Sequence, residues 1–507
     1  MQKIGFDNEK YLAEQTKAIL DRVAQFDHKL YLEFGGKLLF DYHASRVLPG
    51  YDPTVKMQLL QRLKDNIEIV ICIYAKDIEA GRLRGDFGMT YDMACLKTID
   101  DLKDWGLKVN KVVITRFKSE PLAIKFKNRL ERKGINVYIH REIKGYPNEP
   151  AKIVSKRGYG RNDYIKTEKP IIVVTAPGPG SGKLATCLSQ LYHDHKLGIN
   201  SGYAKFETFP IWNIPLKHPV NVAYESATAD LGDFNLVDPH HLKTYGRKAI
   251  NYNRDVDAFP ILKAILQKIV GKGKEMVMYN SPTDMGVNRA GFGIVDDAVV
   301  REAAKQEIVR RFFRYHWEFM LGLENKETVE RARKLMEEAQ AKEEDRACVL
   351  PAREAAKEAS KTQGKGNNGV FCGAAIQLSD GKILSGKNSQ LMHAASAAII
   401  NAIKYLAEIP DKIHLLPRNV ISNIAGLKKE ILGSKKESLD LEETLVALSI
   451  SAATNPSAEA AVKALKQLNG CEMHMTHMPT PGDEAGLRKL RINFTCDAQP
   501  TSDYFLR

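Results

Sequence analysis

Lys169–Gln190 reads KPIIVVTAPGPGSGKLATCLSQ. The β-branched run Ile171–Val174 leads into a turn containing Gly178, Gly180, Ser181 and Gly182; Lys183 and a helical pattern follow. These residue types at this spacing suit an anion. Glycines let backbone N–H groups approach phosphate oxygens, a helix N-terminus favours negative charge, and Lys183 adds a point charge. The turn departs from the phosphate-loop pattern G-x-x-x-x-G-K-[ST], which needs Gly where Pro177 stands and Ser or Thr where Leu184 stands. In that pattern the hydroxyl after the lysine holds magnesium. Leu184 has none, so Ser181 or Thr186 substitutes, or the metal is held elsewhere, or there is none.

A second glycine turn, Glu33-Phe-Gly-Gly-Lys37, also follows an apolar run, and Asp41–Arg46 brings His43, Ser45 and Arg46 nearby. Acidic residues follow later apolar runs: Glu225, Asp230 and Asp233 after Val220–Tyr224, Asp238 after Phe234–Val237, and Asp284 shortly after Met276–Tyr279. A carboxylate at a strand end suits a magnesium ligand or a base in phosphoryl transfer. It equally suits a helix cap. Asp238 and Asp284 are the catalytic candidates, with Arg46 and Arg254 to orient an anionic substrate. Asn251–Asp255 offers a polar substrate wall, and Lys205–Trp212 is a lid or a packed surface loop. Cys471-x-x-His474-x-x-His477 has the flavour of a zinc site, but strand-like alternation over Glu472–Met478 sends the two histidines to opposite faces.

The elements that must hold these residues follow from periodicity. Helical patterns are expected over about 8–26, from 53, over about 91–105 and over 121–133. They alternate with strands over 29–34, 68–75, 111–117 and 135–140, before the strand that feeds Gly178. Such alternation predicts an α/β fold with a mostly parallel, doubly wound sheet. Ligands of such sheets collect at the carboxyl ends of strands, where both glycine turns fall. The expected domains are a phosphate-binding region over 1–239 (with possible halves 1–150 and 169–239), a mainly helical segment over 240–360 and a smaller α/β domain over 369–507. The charged stretch ending in Thr362–Gly369 is the linker candidate. In the last domain, the hairpin signal Ser379–Lys382 joins strands over 373–378 and 383–386, and an apolar helix follows over 392–406.

The chain has 507 residues and a formal net charge of +13, from 75 basic and 62 acidic side chains, which points to anionic partners. No segment interleaves basic and aromatic residues as a base-reading module does, so a small anionic or phosphorylated ligand is expected and nucleic acid is not. No apolar run is long enough to span a membrane. The N-terminus lacks a secretory core, and seven scattered cysteines suit reduced thiols, so a cytoplasmic location is expected.

The C-terminal stretch Cys372–Leu406 resembles the opening of a cytidine-deaminase-like fold, hairpin then buried helix. A working zinc deaminase needs H-x-E on that helix and P-C-x-x-C later. Here Ala395 stands where the resemblance would put the glutamate after His393, and no C-x-x-C exists. The resemblance thus implies a deaminase-like topology without its zinc chemistry. Across nearly its full length the chain also resembles a family of uncharacterised bacterial proteins of similar size, through KLYLEFGGKL (29–38), HASRVLPG (43–50), VVTAPGPGSGKLATCLSQ (173–190), YAKFETFPIWN (203–213), NYNRDV (251–256), SPTDMGVN (281–288) and LSISAATNP (448–456). That resemblance implies a cytoplasmic multidomain α/β protein and no established reaction.

Two functional classes are open. One is a phosphotransferase or ligase that binds ATP or another nucleotide, with magnesium, through Gly178, Gly180, Ser181, Gly182 and Lys183. The other is a non-catalytic ligand-sensing or assembly protein with a degenerate deaminase-like domain. A homo-oligomer is expected for either. Dinucleotide binding ranks below both, because no G-x-G-x-x-G followed by a strand-end acid occurs in the first half.

Overall fold

A computed structural model of the protein describes residues 3–26, 29–84, 89–271, 279–434 and 437–501. The chain forms two compact units, one from Lys3–Ala304 and one from Lys305 onward. The fold is α/β, with a six-stranded parallel sheet in the first unit and a smaller sheet in the second.

The six strands are β1 (Leu30–Phe34), β2 (Ile67–Tyr74), β3 (Val109–Phe117), β4 (Asn136–Arg141), β5 (Ile171–Thr175) and β6 (Gly202–Phe206). Their spatial order is β4-β3-β2-β5-β1-β6, and every neighbouring pair is parallel. Strands β1 and β5 are buried at every residue. Their near-continuous apolar runs are what a sheet covered on both faces requires. From β2 the chain moves outward to β3 and β4, whereas from β5 it crosses the other way to β6. The gap between β2 and β5 is therefore a topological switch point, where loops part and leave a crevice at the carboxyl edge. The glycine turn leaves β5 at that point. Beside β6, Val287 N–H donates to Lys205 O at 3.0 Å, so a short segment covers the edge strand.

The helix after β5, Lys183–Lys196, is moored by buried polar groups. Asp194 is fully buried and accepts from Lys29 Nζ (2.8 Å), Tyr31 OH (2.8 Å) and Tyr164 OH (2.7 Å). A carboxylate near a helix C-terminus opposes the helix dipole, and these three donors compensate it. Gln190 accepts from Ile165 N at 2.7 Å and donates to Asp163 O at 3.0 Å. The connection after β4 is thus a packed brace that aims the helix N-terminus at the carboxyl edge.

His140, at the end of β4, sits beneath the same helix with its Nδ1 3.4 Å from Thr186 Oγ1. Burial pushes its imidazole down to about 4. A histidine held below its unfolded value contributes stability that is full above pH 6.5 and declines as pH falls toward 4. Between pH 7.5 and 5.0 this group should therefore cost the fold about 2 kcal/mol. The fall in thermal midpoint over that range should be visibly smaller in His140→Gln.

Two short strands, β7 (Asn235–Val237) and β8 (Ile250–Tyr252), form an antiparallel ribbon in the same unit. The apolar run before Glu225 is not a strand but the helix Pro219–Ala227. Pro219 at its first turn and the His218 ring, which accepts from Val220 N–H at 3.2 Å, start a helix there. Of the run Met276–Tyr279, the first three residues lie outside those described.

The second unit carries β9 (Gly373–Gln377), β10 (Ile383–Lys387), β11 (Glu472–Met475) and β12 (Asn493–Cys496), in the order β10-β9-β11-β12. β9 is antiparallel to both neighbours, and β11 runs parallel to β12. The helix Ala394–Leu406 supplies Ala398, Ile399, Ala402 and Ile403 to the core of this unit. His474 is buried in β11 with Nδ1 2.9 Å from Thr495 Oγ1, while His477 lies beyond the strand end against Thr476. Burial works to raise the Asp497 carboxyl, but the nearby His474 ring and hydrogen bonds from Arg353 hold it down at about 2.

Candidate functional site

The glycine turn is built by three strands. Gly180 has φ +68° and Gly182 φ +87°, the left-handed region in which a side chain is strained. Gly178 faces Tyr91 so closely that an added Cβ would stand 2.3 Å from its ring. Ser181 Oγ donates to Gly178 O at 2.9 Å, which folds the turn on itself. From β3, Thr115 Oγ1 donates to Ser181 O at 2.8 Å, and Arg116 donates to Gly180 O. The Arg116 guanidinium carbon lies 3.3 Å from the centre of the Tyr74 ring at the end of β2.

Gly182 is the N-cap of the helix Lys183–Lys196, so no side chain caps the free N–H groups of its first turn. The first turn carries no acidic residue. Among the described residues, Lys183 has no ion-pair partner, and Arg116 Nε is a buried donor without an acceptor. The turn thus sets a positive helix end between two cations. Arg116 was not among the residues singled out from sequence; the available signal was a basic residue at the carboxyl end of β3.

A second polar centre lies at the end of β6. Lys205 is in register with Glu33 of β1, so both side chains stand on one face of the sheet. Lys205 Nζ meets both oxygens of Asp255 at 2.8 and 2.7 Å, Oε1 of Glu207 at 3.2 Å, and the hydroxyl of Tyr252. Burial works against the ammonium, but Asp255 and Glu207 lift its pKa well above the usual lysine value. Burial, with Asp255 and Glu33 adding to it against the pull of Lys205, pushes the Glu207 carboxyl up to about 7. Lys205, Glu207 and Asp255 line an open cleft whose walls include Trp212, Asn251, Thr283 and Asn288. Lys205, Glu207 and Trp212 come from a segment that reads in sequence as a lid or a packed loop; its start is strand and its end is cleft wall.

The structure places the sequence candidates as follows. Asp238 is fully buried and caps the helix Pro239–Tyr245, accepting from His240 N, His241 N and Thr283 Oγ1 at 2.9, 3.0 and 2.7 Å. Asp284 accepts from Tyr245 OH at 2.9 Å and Asn280 N at 3.1 Å. Thr283 and His241 link these two aspartates in one network behind the cleft wall, with His241 Nδ1 3.7 Å from Asp284. Arg254 donates to the buried Asp233 at 2.6 Å. Arg46 lies half-buried on the short helix Tyr42–Val47 after β1. Among the described residues no group of three or more His, Cys, Asp or Glu side chains is placed to hold a metal ion. In the second unit, His393 Nδ1 stands 2.7 Å from Asp483 Oδ2, and Ala395 is buried on the helix that follows. No helix among the described residues is long and apolar enough to cross a membrane.

Comparison with known proteins covers nearly the whole chain. Residues 4–340 match the domain of unknown function DUF1846, N-terminal, and residues 344–505 match its C-terminal counterpart. A UPF0371 protein of Clostridium botulinum (strain Langeland / NCTC 10281 / Type F) is 55% identical over 502 residues, covering 99% of each chain. One from Clostridium tetani (strain Massachusetts / E88) is 54% identical over 501 residues, again with 99% of each covered. At that identity over that length, the chain belongs to the UPF0371 family and carries both DUF1846 domains.

Proposed function

We propose that the protein binds a phosphorylated small molecule, nucleotides included, at Gly178–Lys183, and acts on it as a phosphotransferase or ligase. The observation that carries this reading is the uncapped helix end at the switch point, flanked by Lys183 and Arg116. A phosphate there accepts from backbone N–H groups and neutralises two cations at once. Catalysis on such a site is positioning and charge stabilisation rather than covalent chemistry. Asp238 has its lone pairs taken up by donors, so Asp284, one-fifth exposed, is the better placed of the two for a proton or a magnesium ion. Arg254, engaged by Asp233, serves as wall, and Arg46, on the short helix after β1, orients an anionic substrate.

The second reading is a ligand sensor. Leu184 favours it, because an apolar side chain stands where a phosphate loop presents its magnesium hydroxyl. The C-terminal unit then serves assembly as a homo-oligomer, with a deaminase-like shell supported by the hairpin, helix and mixed sheet around Ala395. A thermal-shift screen of nucleotides and sugar phosphates, with and without magnesium, tests the shared part. A ligand at 100 times its Kd stabilises the fold by about 2.7 kcal/mol. The wild type should shift with at least one phosphate compound and Lys183→Ala should not; no shift with any of them contradicts both readings. Phosphate transfer or release during incubation with the shifting compound then separates enzyme from sensor.

A further inference from the structure

We propose that the cleft at Lys205, Glu207 and Asp255 is a binding site for a neutral polyhydroxylated small molecule, a free sugar or cyclic polyol, distinct from the anion site at the glycine turn. The charge arithmetic excludes an anion. One lysine faces two carboxylates, so the centre is neutral with Glu207 protonated and carries an excess negative charge with Glu207 ionised. A phosphate or carboxylate ligand would meet repulsion there.

The polar groups suit hydroxyls. Asp255 alone satisfies the Lys205 ammonium with both oxygens, which makes Glu207 surplus to the ion pair. Only Oε1 of Glu207 is engaged among the described residues, by Lys205 and by Tyr252 OH at 3.4 Å, and the side chain is about one-sixth exposed. Oε2 is left to accept from, or when protonated donate to, a ligand. Asn251 uses its Oδ1 on Tyr252 N–H at 2.9 Å, and Asn288 uses its Oδ1 on Glu207 N–H at 2.8 Å. Their amide N–H₂ groups stand at the cleft as further donors; that of Asn251 has only a long 3.5 Å contact to Thr283. Alternating acceptors and donors of this kind pair with vicinal hydroxyls. Trp212, its indole N–H already held by Asn288 O at 3.0 Å, lines the cleft with Ile250 and supplies apolar wall for the carbon face of a ring.

Gly35 shows that the placement of Glu207 is built into the fold. A Cβ at Gly35 would stand 2.4 Å from Glu207 Cγ and 2.6 Å from its Oε1. The glycine turn after β1 therefore makes room for that carboxyl and acts as a positioning residue for it.

The test is saturation-transfer NMR on the full chain with D-glucose, D-ribose and myo-inositol as probes, up to about 20 mM, above the millimolar range of a weak site. At least one probe should give a saturable signal. Its Kd should rise roughly fivefold or more in Glu207→Gln, Asn251→Ala and Gly35→Ala, about 1 kcal/mol for a hydrogen bond lost. Lys183→Ala should leave it unchanged, so this proposal and the phosphate reading fail separately. The proposal is overturned if no probe saturates, or if all three cleft variants keep the wild-type Kd. A variant that does not fold, seen by circular dichroism, is set aside for the other two.

Discussion

Lys183→Ala is expected to weaken binding of inorganic tripolyphosphate by roughly 10- to 100-fold, the equivalent of one charged hydrogen bond of about 1.5–3 kcal/mol. Titration calorimetry reads this directly. The thermal midpoint of the unliganded protein should barely move, because Lys183 is half-buried at the first helical position and makes no described ion pair there. Alanine is also the best helix former. Arg116→Gln should lower affinity in the same direction. It should also loosen the turn, since Arg116 donates to Gly180 O and stacks on Tyr74. The two variants thus differ in a useful way: one removes charge alone, the other charge and scaffold.

Asp194→Ala is expected to destabilise the N-terminal unit by about 3–5 kcal/mol, a fall on the order of 10 °C in its unfolding midpoint. The substitution leaves Lys29 and two tyrosine hydroxyls without their buried acceptor. Asp194→Asn, which keeps an acceptor oxygen but not the charge, should cost less. Differential scanning calorimetry checks both. A wild-type midpoint in Asp194→Ala would show that the helix Lys183–Lys196 does not depend on this buried carboxylate.

Much of the first unit was legible in the sequence because its strands are covered on both faces and its helices on one. The predicted strands at 29–34, 68–75, 111–117 and 135–140 differ from β1 to β4 by a residue or two at most ends. The glycine turn was legible for a different reason: Gly180 and Gly182 occupy φ values that other residues avoid. The order of strands was not legible. β5 inserts between β2 and β1, and that crossover is what brings Arg116 and Tyr74 to the turn. The polar centre at β6 was hidden by distance along the chain. Lys205 and Asp255 are 50 residues apart, and each alone reads as a solvated charge. Val220–Tyr224 misled because five residues, four of them apolar, are too few to show a period; length and the proline at the start decide for helix. Asp238 was legible as a carboxylate after a strand, but only the folded chain shows its oxygens facing N–H groups of the helix it caps.

Hydrogen exchange of the wild-type protein, with and without saturating ATP or tripolyphosphate, tests the central claim most directly. Slowed exchange is expected at the backbone amides of residues 178–185, where the free N–H groups of the turn and first helical turn would become phosphate donors. Exchange there that is unchanged by either ligand, or protection confined to other segments, would contradict it.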